Sequence, residues 1–366
     1  MASEPEQVAA RPPARIDYLK VAQSVLLALV GFGVAAVIVQ ALGYSPAAAY
    51  GALFENSFGS PLGISSTLWQ ATSLAMVGLA ATVAFRAGIF NIGIEGQLYV
   101  GAFMGFLVGY YLALPAFIEI PLVLAAAVLG GMAWSLVPAL LKAFRGVNEV
   151  VTTIMMNYIA TYLVDYLQSI YRSPYANASY TAQVNPTAQF HQFFPSGPLD
   201  TGFVVAVLSV ALVYFLLWYT PLGYQIRVSG LNPFAAKYAG VSPQRMTMYV
   251  MLMSGGLAGA GGALFANASI MGHFDLTSVV GVGFNGITVS LIGQLNPIGS
   301  FLGALLVGAL VSASPFMQIA TGMPVQIVQL LTGVIVISAA IPGLLETARR
   351  TLRRWKGRMR GGEATE

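Results

Sequence analysis

Cysteine is absent from this chain of 366 residues, and only two histidines are present. A disulfide framework and thiolate metal sites are therefore excluded, and His191 and His273 alone offer little for metal chemistry. Charge is also scarce, since 8% of the residues are charged whereas 57% are hydrophobic. One water-soluble core could not bury so much apolar side chain, so the composition indicates a membrane protein.

Sequence motifs for catalysis are missing as well. The chain contains no G-x-x-x-x-G-K-[ST] phosphate loop, no H-E-x-x-H pair and no G-x-S-x-G elbow. We therefore expect no catalytic residue, no cofactor and no metal site, and any ATP hydrolysis must be performed by another protein.

Apolar runs long enough to cross about 30 Å of hydrocarbon recur along the chain and predict an all-α bundle of about ten transmembrane helices. The predicted spans are 21–42, 64–84, 94–114, 120–141, 149–170, 201–219, 247–268, 279–295, 297–314 and 324–345. We expect a cytoplasmic tail over 1–20, a membrane domain over 21–346 and a basic cytoplasmic tail over 347–366.

The distribution of basic residues predicts the orientation of these spans. A cytoplasmic N-terminus places every Lys and Arg on the cytoplasmic face except Arg172, out of 17 in total. Basic residues are retained on that face during insertion, so both termini are predicted to be cytoplasmic. The basic C-terminal run is expected to anchor this topology and to contact anionic lipid, and nucleic-acid binding is not expected.

Two hydrophilic segments separate the predicted spans. Residues 171–200 are predicted outside, where they could meet an extracytoplasmic partner or form a solvated linker. Residues 220–246 are predicted inside and contain a short helix, with Asn232 as its cap and Gly240 at its end. This helix could enter a groove of a partner protein or lie as an amphipathic turn on the membrane. The residues predicted to couple it to a partner are Asn232, Pro233, Phe234, Ala235, Ala236, Tyr238 and Gly240.

Four sequence blocks carry a resemblance to a known family. SGLNPFAAKYAGVSPQR resembles the coupling-helix loop of ABC importer permeases, whose alanines and following glycine dock into the ATPase subunit. The blocks FRAGIFNIGIEGQLYVGA, RGVNEVVTTIMMNYIATYL and GFNGITVSLIGQLNPIGSFLGALLVGAL resemble the branched-chain amino acid, ribose and nucleoside group of those permeases. The resemblance covers residues 60–345 and is closest to nucleoside-type subunits that work with basic-membrane-lipoprotein capture proteins.

This resemblance implies a transmembrane permease subunit of an ATP-binding-cassette importer in the inner (plasma) membrane. It implies nucleosides as the small-molecule substrate, with ribose-like sugars and branched-chain amino acids as alternatives. It also implies three partners besides membrane lipids: an ABC ATPase subunit, a second related permease subunit and an extracytoplasmic solute-binding lipoprotein. The rivals are a proton-coupled secondary transporter that uses Glu95, Glu149 or Asp165, and a scaffold subunit.

Polar residues within the predicted spans are candidates for the translocation pathway. In the fifth span, polar residues recur every four positions from Glu149 to Asp165, a stripe that either lines the pathway or joins helices by hydrogen bonds. Glu95 lies between two glycines that allow a close turn or a broken helix, and it either faces the pathway, caps a helix or pairs with Arg86. The residues predicted to line the pathway are Asn91, Glu95, Gln97, Glu149, Thr153, Asn157, Asn285 and Thr288.

Glycines at four-residue spacing predict close helix packing rather than chemistry. These residues are Gly101, Gly105, Gly109, Gly255 and Gly259.

Overall fold

The computed structural model describes residues 18–173, 180–194, 197–266, 272–275, 280–324, 326–335 and 337–338. The described helices are α1 (Tyr18–Ala41), α2 (Pro46–Phe58), α3 (Pro61–Arg86), α4 (Ile94–Tyr111), α5 (Ala116–Arg145), α6 (Glu149–Ile170), α7 (Gly202–Tyr219), α8 (Pro221–Leu231), α9 (Pro233–Tyr238), α10 (Pro243–Ala266), α11 (Val282–Ile292), α12 (Pro297–Thr321) and α13 (Gln326–Ile335). A 3-10 turn at Pro186–Ala188 and two isolated β-bridges are the other regular structure in this part of the chain. The predicted all-α class is therefore confirmed.

Many helices begin at a proline preceded by a capping side chain. Proline suits the first helical turn because its φ is already helical and the N–H that it lacks would have no partner there. The cap supplies the missing acceptor, as when Oγ of Ser60 accepts a hydrogen bond from the N–H of Gly63 (3.0 Å). The helices that follow this pattern are α2, α3, α8, α9 and α12, capped by Ser45, Ser60, Thr220, Asn232 and Asn296.

α3 and α10 form the centre of the bundle, and α10 packs against α4 and α5 through small residues. A Cβ on Gly101 of α4 would overlap the backbone of Gly259 of α10. A Cβ on Gly255 would lie 2.5 Å from the carbonyl oxygen of Gly131 in α5. Since no side chain fits at these crossings, glycine is what allows the backbones to approach so closely.

The other two glycines of the predicted packing set have different neighbours. A Cβ on Gly105 would lie 3.2 Å from Cβ of Ala263, a tight but less severe contact with α10. Gly109 is buried near the end of α4, where its carbonyl accepts a hydrogen bond from the N–H of Asn185 (2.8 Å).

Six of the described helices are long and apolar enough to cross a membrane: α3, α5, α6, α7, α10 and α12. The count of about ten spans and the cytoplasmic position of both termini remain predictions. Two predicted spans are wrong in their bounds. The helix α12 continues to Thr321 rather than ending at 314. The helix within 279–295 covers 11 residues and ends at Ile292. Positive φ values at Gln294 (53°) and Leu295 (56°) end the helix there. The structure also adds α2, which the sequence reasoning did not predict.

Residues 87–93, between α3 and α4, are not helical and turn back into the bundle. Oγ of Ser254 donates a hydrogen bond to the carbonyl of Ala80 (2.9 Å) and accepts one from Asn91 (2.8 Å). Asn91 is therefore level with Ala80, which is about 9 Å along the helix axis from Arg86 at the end of α3. The non-helical backbone lies immediately before Glu95, which is the second residue of α4, and it is enclosed by protein as a membrane requires.

The hydrophilic segment 171–200 is described except for 174–179 and 195–196. Thr181 donates its backbone N–H to the carbonyl of Phe274 (2.9 Å), and Nδ2 of Asn185 donates to the carbonyl of Leu112 (2.7 Å). The described part of this segment is therefore fastened to the end of α4 and to the stretch before α11. The basic tail over 347–366 and nearly all of the tail over 1–20 lie outside the described residues.

Candidate coupling helix and translocation pathway

The short helix α9 is built as the sequence predicts. Oδ1 of Asn232 accepts hydrogen bonds from the backbone N–H groups of Phe234 (3.1 Å) and Ala235 (3.2 Å). The helix ends at Tyr238, and Gly240 then has a φ of 84°, a value that glycine adopts without strain. Local interactions alone therefore define both ends of α9.

α9 offers an exposed aromatic surface. Phe234 and Tyr238, one helical turn apart, are 77% and 93% exposed. Ala235 is exposed beside them, whereas Ala236 is buried in the apolar core together with Val241. Ala236 therefore fastens α9 to the bundle, and the surface left for a partner consists of Phe234, Ala235 and Tyr238.

The amides predicted to line a pathway lie at the turn between α3 and α4. Asn91 donates hydrogen bonds to Oε1 of Gln97 (2.9 Å) and to Oγ of Ser254 (2.8 Å), while Nε2 of Gln97 donates to Oδ1 of Asn91 (3.2 Å). Oδ1 of Asn91 also accepts from the N–H of Gly93 (3.0 Å). Both amides are fully buried, and their contacts hold the non-helical segment in place.

Glu95 joins α4 to α11. Its carboxylate accepts hydrogen bonds from the hydroxyl of Tyr99 and from the backbone N–H groups of Gly281 and Phe284. The two N–H groups belong to the start of α11, where unsatisfied donors and the helix dipole favour a carboxylate. Glu95 thus caps a helix of another segment, and its alternative pairing with Arg86 is wrong.

The middle of the polar stripe on α6 faces α4. Oδ1 of Asn157 accepts a hydrogen bond from the N–H of Gly96 (2.9 Å), and Nδ2 donates to the carbonyl of Ile92 (2.9 Å). An α-helical hydrogen bond would join these two backbone groups, which are four residues apart. The side chain of Asn157 replaces that bond and thereby stabilises the start of α4 at its observed position.

The ends of the stripe have different surroundings. Glu149 forms an ion pair with Lys142 (2.7 Å) at the turn between α5 and α6. Thr153 is buried and donates to the carbonyl of Glu149 within its own helix (2.7 Å). Asp165 is exposed in the C-terminal half of α6, where hydrocarbon would not solvate a carboxylate. The pathway role of the stripe remains a prediction.

A second face of α6 carries tyrosines that the sequence reasoning did not single out. Tyr158, Tyr162 and Tyr166 lie one helical turn apart and are 61%, 73% and 64% exposed. Within the described residues, α6 packs mainly against α4 and α5, which leaves this face uncovered. The sequence signal that could have identified this face is the recurrence of tyrosine at every fourth position of the predicted span. We call these three residues the tyrosine face.

The remaining predicted pathway residues lie on α11, the helix whose start Glu95 caps. Asn285 and Thr288 are half-buried on α11 itself. Asn296, in the turn after α11, caps α12 by accepting a hydrogen bond from the N–H of Ile298 (3.0 Å). The residues that the structure brings together around the start of α4 are Asn91, Glu95, Gln97 and Asn157.

Comparison with known proteins identifies the family. The family model for the permease component of branched-chain amino acid transport systems matches residues 63–340. The chain is 35% identical to the guanosine ABC transporter permease protein NupP of Bacillus subtilis, over 85% of this chain and 90% of NupP. It is 32% identical to the nucleoside ABC transporter permease protein NupB of Lactococcus lactis, over 88% of this chain and 91% of NupB. It is also 32% identical to the glucose ABC transporter permease protein TsgB13 of Haloferax volcanii, over 89% and 87% of the two chains. The chain therefore belongs to this permease family and is a multi-pass membrane transport subunit rather than an enzyme.

Proposed function

We propose that this chain forms the translocation pathway of an ATP-binding-cassette importer for nucleosides. The observation that carries the proposal is the identity of 35% and 32% to guanosine and nucleoside permeases over nearly their whole lengths. Glucose is the second candidate substrate, because a permease named for glucose is 32% identical over a similar length.

The tyrosine face of α6 offers rings on which a nucleoside base could stack. Tyr158 is the tenth residue of a helix of 22 residues, so it lies near the middle of the span, away from the interfacial level where tyrosine is common. A tyrosine ring stacks on the flat base of a nucleoside, and its hydroxyl needs a polar partner that lipid does not supply. We propose that the tyrosine face lines the pathway and that a second, related permease subunit covers it from the other side.

α9 is proposed as the contact with the ATPase subunit. Exposed aromatic side chains are frequent anchors of protein interfaces. Phe234 and Tyr238 project from α9, while Ala236 packs in the apolar core and holds α9 against the bundle. Movement of the ATPase would then be transmitted to the bundle, which alternates between outward and inward access. This assignment requires α9 to be cytoplasmic, in agreement with the predicted orientation, and the importer to reside in the inner membrane. The segment 171–200 then lies outside, where a solute-binding lipoprotein would dock.

The substrate assignment is tested by uptake in vesicles that contain the complete importer. Labelled guanosine is competed with purine nucleosides, pyrimidine nucleosides, ribose and glucose. We expect nucleosides to compete and the sugars not to; absence of saturable guanosine uptake, together with ATP-dependent uptake of labelled glucose by the same vesicles, would instead favour the second candidate.

The pathway assignment is tested by Tyr158→Ala and Tyr162→Ala. Loss of a stacking ring costs about 1–3 kcal/mol, which lowers nucleoside affinity at least about fivefold. Tyr→Phe at the same positions retains the ring and should preserve most of the affinity. The matched control is Phe215→Ala on the exposed side of α7, where the ring is 59% exposed. Equal effects at Phe215 and at the tyrosines would contradict the proposal.

The coupling assignment is tested by Phe234→Ala with Tyr238→Ala, and Tyr224→Ala is the control. Tyr224 is 56% exposed on the neighbouring helix α8. We expect the double variant to lose ATPase binding or substrate-stimulated ATP hydrolysis, because truncating a central aromatic anchor costs about 2 kcal/mol or more. Normal assembly and hydrolysis in the double variant would remove α9 as the contact.

A further inference from the structure

Two arginines converge on one tryptophan at the end of the bundle where α3 and α7 finish. The guanidinium carbon of Arg86 lies 5.0 Å from the ring centroid of Trp218, and that of Arg227 lies 4.6 Å from the same ring. Arg86 is the last residue of α3, Trp218 is next to last in α7, and Arg227 lies on α8. We call this group the Arg–Trp cluster.

The cluster has positive charge without a matching carboxylate. In the part of the chain that the structure describes, neither arginine forms an ion pair with Asp or Glu. Nε of Arg227 donates a long hydrogen bond to the carbonyl of Gly223 (3.4 Å), which orients its side chain but does not neutralise it. Two like charges held beside one ring repel each other, so an anion that contacts both guanidinium groups would be bound favourably.

The cluster also has donors without acceptors. Nε of Arg86 and Nε1 of Trp218 are both buried, and neither has a hydrogen-bond partner in the described structure. Buried donors are rarely left unpaired. Both nitrogens only donate, so the ligand that satisfies them must carry several acceptor oxygens, as a phosphate group does.

The position of the cluster indicates where such a phosphate comes from. α3 and α7 are both candidate membrane spans, so their last residues lie at the level of the lipid headgroups. Tryptophan is enriched at this level, and arginine side chains bind the phosphates of anionic lipids there. Arg86 and Arg227 belong to the face that the charge distribution predicts to be cytoplasmic, where anionic lipids are concentrated.

We propose that Arg86, Trp218 and Arg227 form a binding site for the phosphate group of an anionic phospholipid. In the present arrangement surrounding protein covers both unpaired nitrogens. The proposal therefore requires the Arg86 guanidinium to turn from the Trp218 ring towards the headgroup when the lipid binds. The site is independent of the substrate that the bundle transports.

The position of the site next to the coupling helix suggests what the lipid does. α8 carries Arg227 and leads directly into α9. A lipid bound by both Arg86 and Arg227 would link the end of α3 to α8 and fix the base of α9. We therefore expect anionic lipid to support substrate-stimulated ATP hydrolysis by the importer.

The test measures lipid binding to the full-length purified chain. Short-chain phosphatidylglycerol, phosphatidylcholine and inorganic phosphate are titrated, and bound lipid is counted by native mass spectrometry. The site variant is Arg86→Gln with Arg227→Gln. The control is Arg145→Gln with Arg245→Gln, which removes the same charge from two exposed arginines at helix ends of the same predicted face.

We expect the site variant to bind phosphatidylglycerol about thirtyfold more weakly, since each basic residue near an anionic surface contributes about a factor of five. The control variant should lose much less, and phosphatidylcholine should bind weakly to all forms. Trp218→Phe retains the ring and removes the N–H, and it should also weaken binding.

Several results would overturn the proposal. An equal loss in both double variants would show general attraction to the membrane surface. Saturation of the cluster by inorganic phosphate alone would assign it to a free anion. Unchanged lipid binding combined with lost ATPase assembly in the site variant would assign the cluster to a protein partner. Misfolding of the site variant is checked with Arg→Lys at both positions, which retains the charge and should retain most of the lipid binding.

Discussion

Replacing Asn157 with leucine separates a packing role from a pathway role for the polar stripe. The leucine keeps the size of the side chain and removes both hydrogen bonds, to the N–H of Gly96 and to the carbonyl of Ile92. Each buried backbone group that loses its partner costs about 1–3 kcal/mol. The expected loss in the free energy of unfolding is therefore about 2–6 kcal/mol.

The chain could recover part of this loss by winding α4 back by one turn. The N–H of Gly96 and the carbonyl of Ile92 would then bond to each other directly. That change requires the 91–93 turn to leave its place, although Asn91 holds it through hydrogen bonds to Gln97 and Ser254. Recovery should therefore be incomplete, and we expect a value towards the lower end of the range.

The assay is reversible unfolding in mixed micelles, combined with nucleoside uptake normalised to the amount of assembled importer. Thr161→Val is the matched control, because Thr161 lies one turn further along the stripe and bonds only the carbonyl of Asn157 in its own helix (3.0 Å). We expect Asn157→Leu to lower stability strongly while substrate affinity per assembled complex stays unchanged. Lower affinity at full stability would refute the packing interpretation and restore Asn157 to the pathway.

Three further substitutions test other contacts. Gly259→Ala should destabilise the bundle by about 1–3 kcal/mol because its Cβ meets the backbone of α5. Its control, Gly51→Ala, has nothing within 4 Å of the added Cβ and should stabilise α2 by about 0.5–1 kcal/mol. Thermal unfolding of both variants measures these opposite changes. Glu95→Gln places an amide donor among three donors and should lower the free energy of unfolding by about 1.5–3 kcal/mol, while Glu55→Gln on the exposed side of α2 should change it little. Gly230→Ala places a Cβ of α8 against the carbonyl of Arg86 at the end of α3. This variant should uncouple ATP hydrolysis from transport in an assembled importer, and full coupling would contradict a role for the contact between α8 and α3.

Features that depend on neighbouring residues in the chain could be predicted from the sequence. The bounds of α9 follow from Asn232, Pro233 and Gly240, whose effects on the backbone are local. The burial of Ala236 could not be foreseen, because it results from contact with the rest of the bundle. The end of α11 was missed for a related reason: hydropathy extends smoothly through 279–295, while the break depends on positive φ values at Gln294 and Leu295.

The polar stripe shows the same limit for function. Four-residue spacing correctly places Thr153 and Asn157 on one face of α6. The spacing contains no information about which face is covered by α4 and which is left open. Once the fold is known, the uncovered face is the one with Tyr158, Tyr162 and Tyr166. Asn157 is the stripe residue that provides hydrogen bonds to the start of α4 in the described structure.

The packing of α8 on α3 gives the proposed coupling movement a physical route. A Cβ on Gly230 of α8 would overlap the carbonyl of Arg86, and a Cβ on Gly88 would lie 3.4 Å from Cα of Gly230. Backbones in such contact cannot move towards each other, so a push on α9 that reaches α8 must displace the end of α3 as well. The chain then enters the 87–93 segment, which Asn157 joins to α6. A movement at α9 would therefore reach α6, the helix that carries the tyrosine face, through backbone contacts and buried hydrogen bonds.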